Sequence, residues 1–315
     1  MKNKAILVSG LFAILLITLV ACQSISVLRT TATPEPSPTP TFDAAKYGSA
    51  DIDVTYCSPE GQPQKLDIYY PSTGGPWPVL IYVHGGSWME GDKAEGAGWR
   101  YLNDAGYLVV SVNYRMAAEG KFPVMIEDVK CAVRYLRAHS AEYHLDPDRI
   151  GAAGASAGAH LVALLGTTDE TAGWDVGEYT DQSSRVQAVI SLSGIYDFMA
   201  EVPSGMGTVV FYAFGALPGK ESPEMLAASP VTQIDSNDPP FLILHGTQDG
   251  VLPVEQAEIM HARLTEAGVP STLVIVENGD HSLQALPGKE TSPGPEEINQ
   301  IIFDFLENNL KSGGN

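Results

Sequence analysis

Residues 150–165 read I-G-A-A-G-A-S-A-G-A-H-L-V-A-L-L, with Ser156 at the centre of a G-x-S-x-G. An apolar, β-prone run enters the pentapeptide and a helix-forming run leaves it. That context is what turns such a match into a nucleophile elbow. The glycines have a steric reason: a turn sharp enough to push one side chain out at the end of a strand leaves little room for Cβ atoms two residues to either side. Ala155 and Ala157 keep the intervening positions small. A plain Gly/Ala-rich strand-to-helix turn reads the same over five residues, so groups elsewhere in the chain must decide between the two.

A serine hydroxyl at its ordinary pKa is a weak nucleophile and needs a base within hydrogen-bond reach, itself oriented by a third group. Of the seven histidines, His281 is the best placed, in a loop just after an apolar run at 271–276. His139 and His144 fall in a polar connection and His261 in a helix. His160, one turn after Ser156, is expected to pack beneath the elbow, and His245, at a strand end, to be structural. The acid is expected at Asp249, in the loop G-T-Q-D-G-V-L-P that follows the apolar run 241–245. Asp280 is the rival, but a residue adjacent to the histidine is badly placed to reach its far ring nitrogen. The chain order is then Ser156, Asp249, His281. A tetrahedral intermediate also needs fixed N–H donors for its oxyanion. The H-G-G-S-W at 84–88 offers the amides of Gly85 and Gly86, and Ala157, directly after the serine, offers a third. His84 reads as a brace for that loop. Trp88 either packs the loop or, with Ser87, lines a pocket.

The elements that would hold these groups alternate between strand and helix. Residues 51–57 and 66–70 read as strands, the first at a sheet edge, and 78–83 and 108–113 as strands buried on both faces. A helical stretch at 98–104 lies between the buried pair. Phe122-Pro123 opens an amphipathic helix carrying Ile126, Val129, Val133 and Leu136 at helical spacing. Strands follow at 150–154, 186–193, 241–245 and 271–276, and helices at 157–165, 254–267 and 295–310. Residues 169–185 read as an irregular acidic loop, and 196–238 as a small helical insertion. The fold class is α/β: a mostly parallel central sheet with helices on both faces and its site at the C-terminal ends of the strands.

A chain of 315 residues with 44% hydrophobic content is long enough for one large domain of this kind. A formal charge of −20 argues against a nucleic-acid partner, which needs clustered Lys and Arg. Lys2 and Lys4 precede an apolar run at 5–20 that is short for a bilayer span, and L-V-A-C at 19–22 resembles the lipobox of bacterial lipoproteins. The expected organisation is a signal peptide at 1–21, lipidation of Cys22, a Pro/Thr-rich linker at 22–48 and a catalytic domain at 49–312. Its location is the cell envelope outside the cytoplasm, with the acyl chains on Cys22 as the membrane contact; secretion without the tether is the alternative. Cys57, in an edge strand, and Cys131, in a helix with apolar neighbours, could pair in an oxidising compartment, but nothing in the sequence brings them together and they read as two buried free thiols. Three dispersed cysteines offer no metal cluster.

Together H-G-G-S-W, N-Y-R at 113–115, Phe122-Pro123 with Asp128, D-P-D-R-I-G-A-A-G-A-S-A-G-A-H and P-P-F-L-I-L-H-G-T-Q-D resemble the α/β-hydrolase superfamily over about 49–310. The likeness is to its carboxylesterase branch, with hormone-sensitive-lipase-like and bifunctional feruloyl/acetyl-xylan-esterase-like (BD-FAE-like) proteins. Ser87 stands where the former usually carry a third glycine, which favours the latter. The resemblance implies hydrolysis of a carboxylic ester through an acyl-enzyme on Ser156, without metal or cofactor, on small soluble esters such as those of acetyl or feruloyl groups. Amide hydrolysis, as in formamidase-like or peptidase-like relatives, and an inactive fold serving as a surface binding protein are the alternatives. Asn113, Arg115 and Asp128 are expected to be structural, supporting the loops through an ion pair.

Overall fold

The computed structural model describes residues 41–200, 202–203 and 205–311. The leader, Cys22 and most of the linker lie outside these residues. Strands β1 (Ala50–Cys57), β2 (Gln64–Tyr69), β3 (Trp77–Val83), β4 (Leu108–Val112), β5 (Leu145–Ala155), β6 (Ala188–Leu192), β7 (Phe241–Gly246) and β8 (Ser271–Val276) form one sheet. Their order is β1-β2-β4-β3-β5-β6-β7-β8, and only β2 runs against the rest. The helices are α1 (Val124–Ala138), α2 (Ser140–Tyr143), α3 (Ala157–Thr167), α4 (Met206–Phe214), α5 (Pro223–Ala228), α6 (Glu255–Glu266) and α7 (Pro295–Leu306).

The burial of each strand follows its position. Every residue of β3 is buried, as a central parallel strand covered on both faces requires, whereas β1 at the edge is buried only at its C-terminal end. On one face α1 presents Ile126, Val129, Val133 and Leu136 to the core beside Leu161 and Leu165 of α3. On the other, α7 lays Ile298, Ile302 and Leu306 against Leu80, Ile190 and Leu242. The helical stretch expected at 98–104 is a 3-10 segment over Lys93–Asn103, and the last helix stops at Leu306 before a π turn. Phe42 and Tyr47, assigned above to the linker, pack on Trp77, so the folded body starts ahead of residue 49.

The strand order switches at β3, with β4 on one side and β5 on the other, which marks the C-terminal edge there as the place where open α/β sheets bind ligands. The turns after β3 and β5 flank it. The irregular stretch 169–185 contains only a 3-10 turn at Glu170–Ala172, yet α1 holds it firmly. Lys130 and Arg134, both buried, reach Asp175 at 3.0 and 2.7 Å, and Lys130 also donates to the Thr168 carbonyl.

The two buried thiols expected at Cys57 and Cys131 are instead one disulfide. The end of β1 packs on α1, so residues 74 apart in sequence come within 6.5 Å between Cα atoms, a pairing no local pattern announces. Closing a loop of that length removes chain entropy from the unfolded state worth about 4 kcal/mol. The Cys57→Ala/Cys131→Ala double variant should therefore unfold in urea with a stability about 2–5 kcal/mol lower. An unchanged midpoint would show that the bond contributes nothing.

Candidate active site

Ser156 follows β5 directly, half-buried, with φ 54° and ψ −117°. Such a conformation costs a non-glycine residue about 1–3 kcal/mol and persists only where the surroundings impose it. Its amide donates to the Leu192 carbonyl of β6 at 2.9 Å, and its carbonyl accepts from His160 at 3.1 Å, so the strained residue is held on both sides. The flanking glycines are forced by close approach. A Cβ on Gly154 would lie 2.4 Å from the Gly158 oxygen, and one on Gly158 only 2.0 Å from the Val83 oxygen.

His281 and Asp249, brought from the loops after β8 and β7, are in direct contact: Nδ1 lies 2.7 Å from Oδ2. A carboxylate only accepts, so Nδ1 carries a proton, and in the neutral imidazole Nε2 is the nitrogen with the free lone pair. The rival Asp280 is turned into its own loop, where Oδ1 accepts from the amides of Ser282 and Gln284 at 2.8 and 2.9 Å. Asp249 is saturated with donors. Oδ1 takes the amides of Val251 and Leu252 at 2.7 and 2.9 Å, and Oδ2 also meets His245 Nε2 at 3.1 Å. Burial alone would raise its pKa, but the bonds from His245, His281 and the two amides outweigh it and hold the carboxyl well below the usual range. His245 is structural, as expected; its contact with the acid was missed, although its position four residues ahead of Asp249 in H-G-T-Q-D is a signal that could have found it.

Gly85 runs beside the serine: a Cβ there would sit 3.3 Å from Ser156 Cβ and 3.0 Å from the Ala155 oxygen. At Gly86 φ is 99°, and a Cβ would meet the Glu90 oxygen at 2.0 Å, so the turn accepts glycine alone. Ser87 and Trp88 continue in left-handed conformation. Ala157 opens α3, where a first-turn amide has no acceptor within the helix. Trp88 resolves to loop packing. Its ring is buried, lies edge-on to Phe214 at 4.8 Å between centroids and donates to His160 Nδ1 at 3.3 Å. Ser87 is half-buried. His84 Nδ1 donates to the Gly85 carbonyl at 2.8 Å with its ring stacked on Tyr114, the bracing expected of it.

Behind this loop stands the expected ion pair. Arg115 grips Asp128 of α1 through Nη2 at 2.8 Å and Nε at 2.9 Å, while its amide donates to the same carboxylate at 2.8 Å. The neighbouring Tyr114 hydroxyl donates to the His84 carbonyl, and the Ala117 amide to that of Trp88. Asn113 accepts from the Lys93 amide at 2.6 Å and donates to Asp92. The turn is thus tied to α1 through a chain of contacts.

The BD-FAE family model matches residues 66–264. LipM of Mycobacterium tuberculosis, described as a probable carboxylic ester hydrolase, is 34% identical over 217 residues, 66% of this chain and 50% of LipM. The chain thus spans about half the length of the curated relatives it matches. A truncated carbohydrate esterase from gut microbiota superposes with a TM-score of 0.68 at 30% identity, covering 76% of this chain and 90% of that one. Esterase 2 of Thermogutta terrifontis, in a form phosphorylated by paraoxon, superposes at 0.67 with 25% identity over 82% of this chain and 94% of its own.

The packing beneath the elbow has a pH signature. His160 is fully enclosed between Trp88 and the Ala228 carbonyl, which its Nε2 meets at 2.8 Å. Burial outweighs that bond and lowers its pKa to about 4. An unfolded histidine titrates near about 6.5, so between the two values the unfolded chain takes up a proton that the folded one refuses. Stability is therefore lost as pH falls from about 6.5 to about 4, by about 3 kcal/mol over the whole span. In His160→Gln this loss disappears: between pH 7.5 and 4.5 urea unfolding should show the variant losing about 2–3 kcal/mol less than the wild type. Parallel pH curves would remove His160 from the account.

Proposed function

The chain belongs to the BD-FAE family of the α/β-hydrolases, and we propose that it hydrolyses carboxylic esters through an acyl-enzyme on Ser156. The observation that carries this reading is the bond between His281 Nδ1 and Asp249, because it leaves Nε2 as the proton acceptor on the edge where β5 presents the serine. In the first step Ser156 Oγ attacks the acyl carbon and its proton passes to Nε2. The amides of Gly85, Gly86 and Ala157 stabilise the oxyanion, and the proton then goes to the leaving alcohol. Water repeats the sequence to free the acid. Asp249 holds the imidazole in one tautomer and stabilises the imidazolium; its depressed pKa keeps it ionised throughout the working range.

Similarity to a probable carboxylic ester hydrolase and to an esterase that paraoxon phosphorylates supports the same chemistry. Small soluble esters, such as those of acetyl or feruloyl groups, fit the insertion after β6, whose helices α4 and α5 span only nine and six residues. Likeness to a carbohydrate esterase is compatible with such groups carried on a saccharide. We extend the proposal to location: cleavage before Cys22 and lipidation of that residue would tether the domain to the envelope. The disulfide supports an oxidising compartment.

On p-nitrophenyl esters from acetate to palmitate, kcat/KM should fall at least about tenfold from short to long chains. Ser156→Ala should lower it by at least about 1,000-fold on the best ester. A wild type no faster than this variant on any ester overturns the reading. Incorporation of labelled palmitate into the expressed chain, lost in Cys22→Ala, is expected of the tether; equal labelling of both refutes it.

A further inference from the structure

We propose that His245 is a positioning residue for the reaction: its Nε2–H holds Asp249 Oδ2 in the place where that oxygen meets His281 Nδ1. The inference rests on the ester-hydrolase reading of Ser156 and gives a task in it to a residue beyond the serine, the acid and the base.

The backbone brings the two loops together but leaves the carboxylate itself to be set. Beyond the pairing of β7 with β8, the Thr247 amide donates to the Val276 carbonyl at 3.0 Å, the Gln248 amide to that of Gly279 at 2.8 Å and the Asn278 amide to Thr247 Oγ1 at 3.0 Å. A Cβ on Gly246 would lie 2.2 Å from the Gly279 oxygen, so the two chains touch where the loops begin. What remains is the torsion about Cβ–Cγ of Asp249, which is broad in a carboxylate. The amides of Val251 and Leu252 both bind Oδ1 and make that oxygen a pivot. Oδ2 meets two donors, His281 Nδ1 at 2.7 Å and His245 Nε2 at 3.1 Å. His281 gains and loses a proton in each half of the reaction, so His245 is the donor whose state stays the same throughout.

The surroundings of His245 fix its tautomer. Nε2 lies 3.1 Å from Asp249 Oδ2 and 3.1 Å from the Leu252 carbonyl oxygen; neither can donate, so Nε2 carries the proton. Nδ1 is buried and has no hydrogen-bond partner among the described residues. A second proton there would be a buried N–H without an acceptor, which costs about 1–3 kcal/mol or more. The ring therefore offers Asp249 a fixed dipole, and the proton drawn from Ser156 is left to His281, whose side chain is 24% exposed. Because the Leu252 amide binds Oδ1 while its carbonyl accepts from His245, ring, loop and carboxylate close one cycle of contacts.

The test uses the full chain and the geometry of side-chain amides. The amide nitrogen of glutamine occupies the place of histidine Nε2, and that of asparagine the place of Nδ1. His245→Gln thus keeps the donor that faces Asp249, and His245→Asn removes it. On the best p-nitrophenyl ester, His245→Gln should retain at least about a third of the wild-type kcat and His245→Asn no more than about a tenth, with KM changed less than about twofold in both. In an Asp249→Asn background the same His245→Asn step should cost less than about threefold, because its effect passes through the carboxylate. Equal rates in the Gln and Asn variants, a loss carried by KM, or an undiminished loss in Asp249→Asn overturns the proposal. A second readout needs no ester. The low-field proton resonance of His281 Nδ1–H, identified by its loss in His281→Gln, is expected in wild type and in His245→Gln and should vanish in His245→Asn; its persistence there refutes the role. Should wild type cleave no ester, the hydrolase reading fails by itself, and the resonance decides whether His245 holds the acid. His245→Leu, which has no donor, takes the place of His245→Asn if that variant fails to fold.

Discussion

A methyl group on residue 158 would lie 2.0 Å from the Val83 carbonyl oxygen and 2.6 Å from that of His84. Helix α3 leaves β5 so close to the end of β3 that two backbones touch where a side chain would normally stand. That approach brings the turn after β3 beside Ser156 and lets Gly85 run against the serine's Cβ. It also obliges the chain to reverse within one residue, so Ser156 takes a conformation that local preference opposes and that the hydrogen bonds to Leu192 and from His160 maintain. The rest of the site is arranged around this contact. Arg115 and Asp128 secure the turn from behind, and Trp88, His160 and Phe214 fill the space beneath it.

Charge is handled differently at the two ends of the domain. At the C-terminal edge one carboxylate, Asp249, is surrounded by two histidines and two backbone amides, so its ionised form is favoured and its orientation is determined by donors on every side. On the α1 face, Lys130 and Arg134 are buried against a single partly buried carboxylate, Asp175, and against backbone carbonyls. There the ion pairs fasten an irregular segment to a helix, next to the disulfide that fastens β1 to the same helix. Removing Asp175 would leave two buried cations without a carboxylate, the costly way to break such a cluster.

Much of this was legible in the sequence because it rests on short-range rules. The largely apolar runs at 78–83, 108–113 and 241–245 read as buried strands, and β3, β4 and β7 lie there. The six consecutive residues of the run at 78–83 also implied cover on both faces. The preference for Asp249 over Asp280 followed from the reach of a side chain; Asp249 lies against His281 Nδ1, and Asp280 accepts from an amide of its own loop. The 3-10 form of Lys93–Asn103 was not legible, since its pattern reads as an ordinary helix until its packing on the sheet is known. Nor was the pairing of Cys57 with Cys131, because burial of a cysteine looks the same in sequence whether its sulfur is free or bonded.

The amino-acid sequence by itself determined the strand-turn-helix at Ser156, the chain order of Ser156, Asp249 and His281, and the α/β class, because strand periodicity, glycine sterics and loop position act over a few residues. The tertiary structure alone decided which distant groups meet: His245 on the acid, Trp88 on His160, and one cysteine on the other. Those meetings depend on strand order and on side-chain volumes summed across the core. Such quantities belong to the folded chain as a whole, and no window of residues contains them.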